Sequence, residues 1–99
     1  MTFKQVELHE EALAEAQAAY DWYLVRNTAA AEGFIAELDQ AIEQIGAFPD
    51  ASGAHISGTR RHVMRRFPFI VIYREQQQVI QVIAVAHGRR RPGYWKHRA

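Results

Sequence analysis

RFPFIVIYREQQQVIQVIAVAH, residues 66–87, holds two apolar runs, FIVIYR (69–74) and VIQVIAVA (79–86), joined by Glu75, Gln76, Gln77 and Gln78. Each run is short and rich in β-branched residues. The polar joint is too brief for anything but a reversal, so the pair reads as an antiparallel hairpin. Both runs are too apolar to leave one face in water, which makes them the expected central strands of a sheet covered on one side by helix. Phe67 and Phe69 flank Pro68, which cannot donate to a ladder and belongs where a strand begins.

Outward from the hairpin, TRRHVMRR (59–66) is a third β-type run, and PDASGAHISG (49–58) before it has the chemistry of a loop. Upstream the period changes. Ala31, Phe34, Ile35, Leu38, Ile42 and Ile45 form one stripe of a helix that Thr28 is expected to cap and that Gly46 and Pro49 end, with Glu32, Glu37, Asp39 and Glu43 lying away from it. Ala12, Ala16, Ala19, Tyr20, Tyr23 and Leu24 recur at three and four between His9 and Asn27, with Glu10, Glu11 and Glu15 early, where the helix dipole favours anions. So short a connection makes the two helices an antiparallel hairpin. Val6 and Leu8, after Phe3, alternate as a short first strand. The order β-α-α-β-β-β is of the α+β class: an antiparallel sheet of about four strands, a helical hairpin on one face, and a basic second face and C-terminal tail. The expected core is Phe34, Ile35, Leu38, Ile42, Ile45, Val71, Tyr73, Val82, Ile83 and Val85.

Ninety-nine residues, 48% hydrophobic and 23% charged, suit a single packed domain spanning 1–99. Without cysteine, disulfides, thiolate nucleophiles and the usual structural zinc sites are excluded, and a cytoplasmic setting fits. No run has the length of a signal or a membrane span, so no membrane association is expected. The net charge of +1 conceals a polarity: residues 1–50 hold two basic groups against ten carboxylates (2 − 10 = −8), and residues 51–99 hold ten against Glu75 (10 − 1 = +9). The basic half is expected to face phosphate or an acidic protein.

Five histidines without an i, i+4 pair give no metal site, and Ser52 and Ser57 sit in a loop without the surroundings of a nucleophile. Neither a metal nor a cofactor is expected. Trp22, Tyr20 and Tyr23, at helical spacing beside Ala and Leu, read as core. Arg60, Arg61, Arg65 and Arg66 share one run whose alternation sends neighbours to opposite faces, so at least one face must be open to solvent or a ligand; the competing reading is an edge strand blunted by charge. The tail, AHGRRRPGYWKHRA (86–99), sets five basic side chains beside a Tyr-Trp pair, where a merely solvated end would gain nothing from the rings.

GTRR (58–61), RFPFIVIY (66–73) and AVAHGRRRPGYWKHR (84–98), following a strand-helix-helix order, resemble the RelE/ParE family of bacterial toxins over nearly the whole chain, its ParE-like, plasmid-stabilisation side in particular. The resemblance implies the toxin of a type II toxin–antitoxin system, held in a hetero-oligomer by an antitoxin whose extended, partly acidic region silences it. It further implies one of two targets. RelE-like members cleave mRNA at the ribosome without metal; ParE-like members poison DNA gyrase and are not known as nucleases.

Aligned on Tyr73 and the end of the last strand, two arginines and a tyrosine of the nucleases fall at Ile70, Gly88 and Tyr94. Neither Ile70 nor Gly88 can neutralise a scissile phosphate. The leading expectation is therefore a non-enzymatic gyrase inhibitor with Arg89, Arg90, Arg91, Tyr94, Trp95, Lys96 and Arg98 on its target surface and Arg60, Arg61, Arg65, Arg66 and Arg74 toward the antitoxin. Removing the tail after His87 is then expected to abolish toxicity and leave a folded domain. The alternatives are a ribosome-dependent endonuclease using Arg61, Arg74, His87, Arg89 and Tyr94, with His62 as a second possible base, and a non-toxic protein of the same fold that only binds.

Overall fold

The computed structural model describes residues 4–99; Phe3, invoked above for the first strand, lies outside them. The elements are β1 (Gln5–Leu8), α1 (Glu10–Arg26), α2 (Thr28–Ala47), β2 (Gly53–Ala54), β3 (Arg60–Val63), β4 (Phe69–Glu75) and β5 (Val79–His87), with 3-10 turns at Ile56–Gly58 and Lys96–Arg98. The α+β class and the central β4–β5 hairpin are as the sequence predicts.

Asn27 makes the helical hairpin. Its backbone N–H donates to Tyr23 O at 2.7 Å, closing α1, while its side-chain oxygen accepts from Ala30 N at 3.1 Å, opening α2. The cap expected at Thr28 therefore sits one residue earlier. Asn27 serves because its extended backbone aims the amide oxygen at the free N–H groups of the next helix. α1 faces inward with Ala12, Ala16 and Ala19, small enough to let its backbone approach the sheet, and α2 with Ala31, Phe34, Leu38, Ala41 and Ile45. Phe34 is fully buried, with ring centroids of Tyr23, Phe67 and Phe69 at 5.7, 5.6 and 5.3 Å. The α2 end lies tight on β1: a Cβ at Gly46 would stand 3.2 Å from Lys4 O and 3.3 Å from Val6 Cγ2.

The sheet has five strands in the order β1-β5-β4-β3-β2, and β1 runs parallel to β5 while the other pairs are antiparallel. The sheet is thus mixed, one strand wider than expected, because Gly53 and Ala54 of the supposed loop pair with Arg61 and Arg60. The third run contributes only Arg60–Val63. It leaves the sheet where Met64 N donates to Phe69 O, and the next two backbone N–H groups, of Arg65 and Arg66, turn to the Glu37 carboxylate on α2.

Burial alone would raise the Glu37 carboxyl, but those two N–H groups and the Arg66 guanidinium outweigh it and hold the pKa below its ordinary 4.5. A carboxyl depressed by folding adds stability above its unfolded pKa and loses it as pH falls through its folded value. Glu37→Gln is expected to cost about 1–3 kcal/mol near neutrality and to flatten the acid side of a melting-temperature profile. Parallel profiles for the two proteins would contradict this.

Alternation puts Val71, Tyr73, Ile80, Val82 and Val85 toward the helices. Ile72, Ile83, Ala84 and Ala86 face the other way. A bulge makes this possible: Ile72 pairs with Ala84 and Tyr73 with Val82, leaving Ile83 extra, so Ile83 and Ala84 share one face. That second face carries Arg61 and Arg74 but is not open along β5. Trp95 of the tail lies on it, 2% exposed, with Tyr94 and Ile70 packed at its edge.

Candidate functional site

The tail folds back across the sheet rather than extending into solvent. Gly88 N donates to Pro68 O at 2.7 Å, Arg89 N to His87 Nδ1 at 3.0 Å, and Arg90 N to His87 O at 3.0 Å, forming a tight turn at the end of β5. Gly93, at φ +80°, then swings Tyr94 and Trp95 onto the sheet. A side chain there would adopt the left-handed region and meet Lys96 Cε at 2.9 Å and Ile56 Cδ1 at 3.2 Å. Gly93→Ala is expected to destabilise by about 1–2 kcal/mol, seen as a lower melting temperature; an unchanged midpoint would show that the tail does not need this conformation.

β1 ends at Leu8, opposite Val82, so among the described residues the rest of β5 has no strand on that side. Side chains replace one. Glu15 Oε1 of α1 accepts from Val85 N at 3.0 Å, and Arg98 Nη1 donates to Ile83 O at 3.2 Å. The two are joined to each other at 2.9 and 3.2 Å, and Tyr94 Oη donates to Glu15 Oε2 at 2.5 Å. Arg98 Nε also stands 3.1 Å from Glu11 Oε2, and the Arg98 side chain is only 7% exposed. Burial would lower the Arg98 pKa, yet the Glu15 hydrogen bond and charge win and raise it. Burial, then Glu15, pushes the Tyr94 phenol well above its ordinary 10.0. Stripping one partner from so enclosed an ion pair costs about 3–5 kcal/mol, because the remaining charge stays buried.

The seven residues assigned to a target surface thus divide. Arg89, Arg90, Arg91 and Lys96 are exposed, and none of them forms an ion pair among the described residues. Trp95 is buried, Tyr94 is half-buried, and Arg98 is partly buried with its side chain almost enclosed, so these three hold the tail in place; Trp95 has no free face to offer. The Arg90 guanidinium lies 3.9 Å over the Tyr94 ring. Beside it, between α1 and the ends of β4 and β5, opens a mainly apolar cleft of about 470 Å³ lined by Trp22, Tyr23, Phe69, His87, Arg90 and Tyr94. Trp22, expected in the core, is 54% exposed on this rim under the Arg26 guanidinium; Tyr20 and Tyr23 are partly buried against the core.

The residues assigned to the antitoxin are scattered. Arg60 reaches Ser52 O at 2.7 Å and Asp50 at 3.5 Å, and Arg66 reaches Glu37 at 3.4 Å. Arg61 and Arg65 are exposed without a carboxylate partner among the described residues, and Arg74 Nε is buried without one. The alternative catalytic set is not brought together. Arg61 and Arg74 alternate onto the tail side of the sheet, whereas His87 stands on the helix side, its ring edge-on to Phe69 at 5.2 Å. His62 also faces α2, its pKa lowered by burial and by Arg65 against an opposing pull from Glu37. Among the described residues no three His, Cys, Asp or Glu side chains gather as a metal site would need, and no helix is long and apolar enough to cross a membrane.

Sequence reading missed the two carboxylates that organise these elements, taking Glu15 for a dipole-favoured group early in its helix and Glu37 for one lying away from the apolar stripe. A signal was present: Glu15 adjoins the buried Ala12–Ala16–Ala19 stripe and Glu37 adjoins Leu38 and Ala41, so both lie at the boundary of an apolar face.

The architecture, two antiparallel helices on a mixed sheet, is that of a solved chain described as "Chromosomal ParDE TA system from P. aeruginosa", with a TM-score of 0.75 and 19% identity over 86% of this chain and 96% of that one. At that identity the likeness is one of fold. The family model for the ParE toxin of the type II toxin–antitoxin system parDE matches residues 6–92, and the chain belongs to that family. No curated protein matches it. Membership implies a cognate antitoxin as partner.

Proposed function

We propose that this ParE-family chain acts by binding DNA gyrase through the arginine turn 89–91, and that its antitoxin silences it. The carrying observation is that Arg89, Arg90 and Arg91 stand exposed and without carboxylate partners among the described residues, on a turn held by the buried Trp95 and by the bonds of Tyr94 and Arg98 to Glu15. Three unneutralised guanidinium groups on a rigid support cost little ordering on docking and steer toward an acidic surface. The adjoining cleft adds apolar area for a partner's side chain.

Ribosomal mRNA cleavage has less support. Ile70 packs at the edge of the Trp95 cluster, Gly88 spends its N–H on Pro68, and the Tyr94 hydroxyl donates a hydrogen bond to Glu15, so no cation stands at the first two positions and the third hydroxyl is engaged. Induced expression in growing cells distinguishes the readings. Filamentation with broken DNA, while amino-acid incorporation continues through the first minutes, is the expected outcome. Immediate arrest of incorporation would favour the ribosome, and unimpaired growth would favour a non-toxic binding protein.

A further inference from the structure

Glu15 lies within α1 and is not among the residues read above as contacting a target, yet its carboxylate is fully engaged: Val85 N at 3.0 Å, Tyr94 Oη at 2.5 Å, and Arg98 Nη1 and Nη2 at 2.9 and 3.2 Å. The same Tyr94 carries the Arg90 guanidinium on its ring at 3.9 Å. A carboxylate, a phenol and a guanidinium therefore form a continuous chain from the helix to the exposed turn. We infer that Glu15 is a positioning residue for target binding: by holding the Tyr94 hydroxyl and Arg98 together, it fixes the ring on which Arg90 is presented.

The inference rests on the arginine turn being the docking surface. Its chemistry requires a carboxylate. Two oxygens must accept from four donors at once, and one of the donor groups is a cation that is 7% exposed. A carboxamide offers one acceptor and turns an N–H₂ toward Arg98 or Tyr94, so Glu15→Gln keeps the shape and releases the tail. With the ring free, Arg90 samples more orientations and loses them on docking.

The test is a double-mutant cycle on the full-length protein with Glu15→Gln and Arg90→Ala, alone and combined. Glu15→Gln is expected to raise the concentration for half-inhibition of gyrase about tenfold and to add little when Arg90 is already Ala. Losses that multiply in the double variant would overturn the inference, because a merely structural role harms the protein whether or not Arg90 is there. Amide hydrogen exchange provides a readout independent of any target: Glu15→Gln is expected to speed exchange in residues 88–98 and at Val85 by more than the rise that lost stability brings to β4 and α2. Unaltered tail exchange, or a uniform rise throughout the protein, would refute it. If the wild-type protein leaves gyrase untouched but arrests growth, the gyrase reading fails alone, and the same cycle is scored on growth arrest.

Discussion

Trp95→Ala is expected to lower stability by about 3–5 kcal/mol, the range for truncating a large aromatic in a well-packed site. Trp95 is 2% exposed and caps a cluster of Ile72, Ile83, Ala84 and Ala86 on the face away from the helices. A domain of this size has about 5–15 kcal/mol in total, so the variant retains a fraction of it and melts roughly 15–30 °C lower. Removing the tail after His87 goes further, exposing that apolar face and leaving Glu15 without the tail donors that neutralise it. The folded, harmless domain expected of such a truncation from sequence is therefore not the expected product. Circular dichroism with urea titration decides: a cooperative transition at the wild-type midpoint for either protein would mean that the tail does not complete the core.

The second large effect is on activity and leaves stability alone. Changing Arg89, Arg90 and Arg91 together to Ala is expected to weaken inhibition of the target by 100-fold or more, about tenfold or 1.4 kcal/mol for each lost contact. All three are exposed, and Arg90 lies over the Tyr94 ring. Surface changes of this kind stay within about 0.5 kcal/mol each, so the melting temperature should barely move. Single variants should rank Arg90 first, since it is the one already ordered. Undiminished potency in the triple variant would remove the turn from the contact surface, whatever the target is.

These two outcomes separate what was legible in the sequence from what was not. The β4–β5 hairpin could be read because β-branched runs and their polar joint are local, and the helices because Ala and aliphatic residues recur at helical period. All ten expected core residues are buried or packed against the core. The direction of β1 was not legible, since a four-residue strand carries no mark of its partner's polarity. Nor was the bulge at Ile83, which needs a residue of the tail to make the second face worth burying. Glu15 was unreadable as an anchor for a plainer reason: its donors lie 70, 79 and 83 residues away. For the same reason Trp95 looked like a contact residue when it is a structural one, while the arginines beside it, having no such partners, keep the exposure their charge suggests.

Supercoiling of relaxed plasmid by purified gyrase, with this protein added over a concentration series and cleaved DNA scored alongside, tests whether the arginine turn docks on gyrase. Inhibition with accumulated breaks by the wild-type chain, and its loss in the Arg89, Arg90 and Arg91 triple variant, is the expected result of such docking. Full supercoiling and no breaks at a large excess of folded wild-type protein would contradict it.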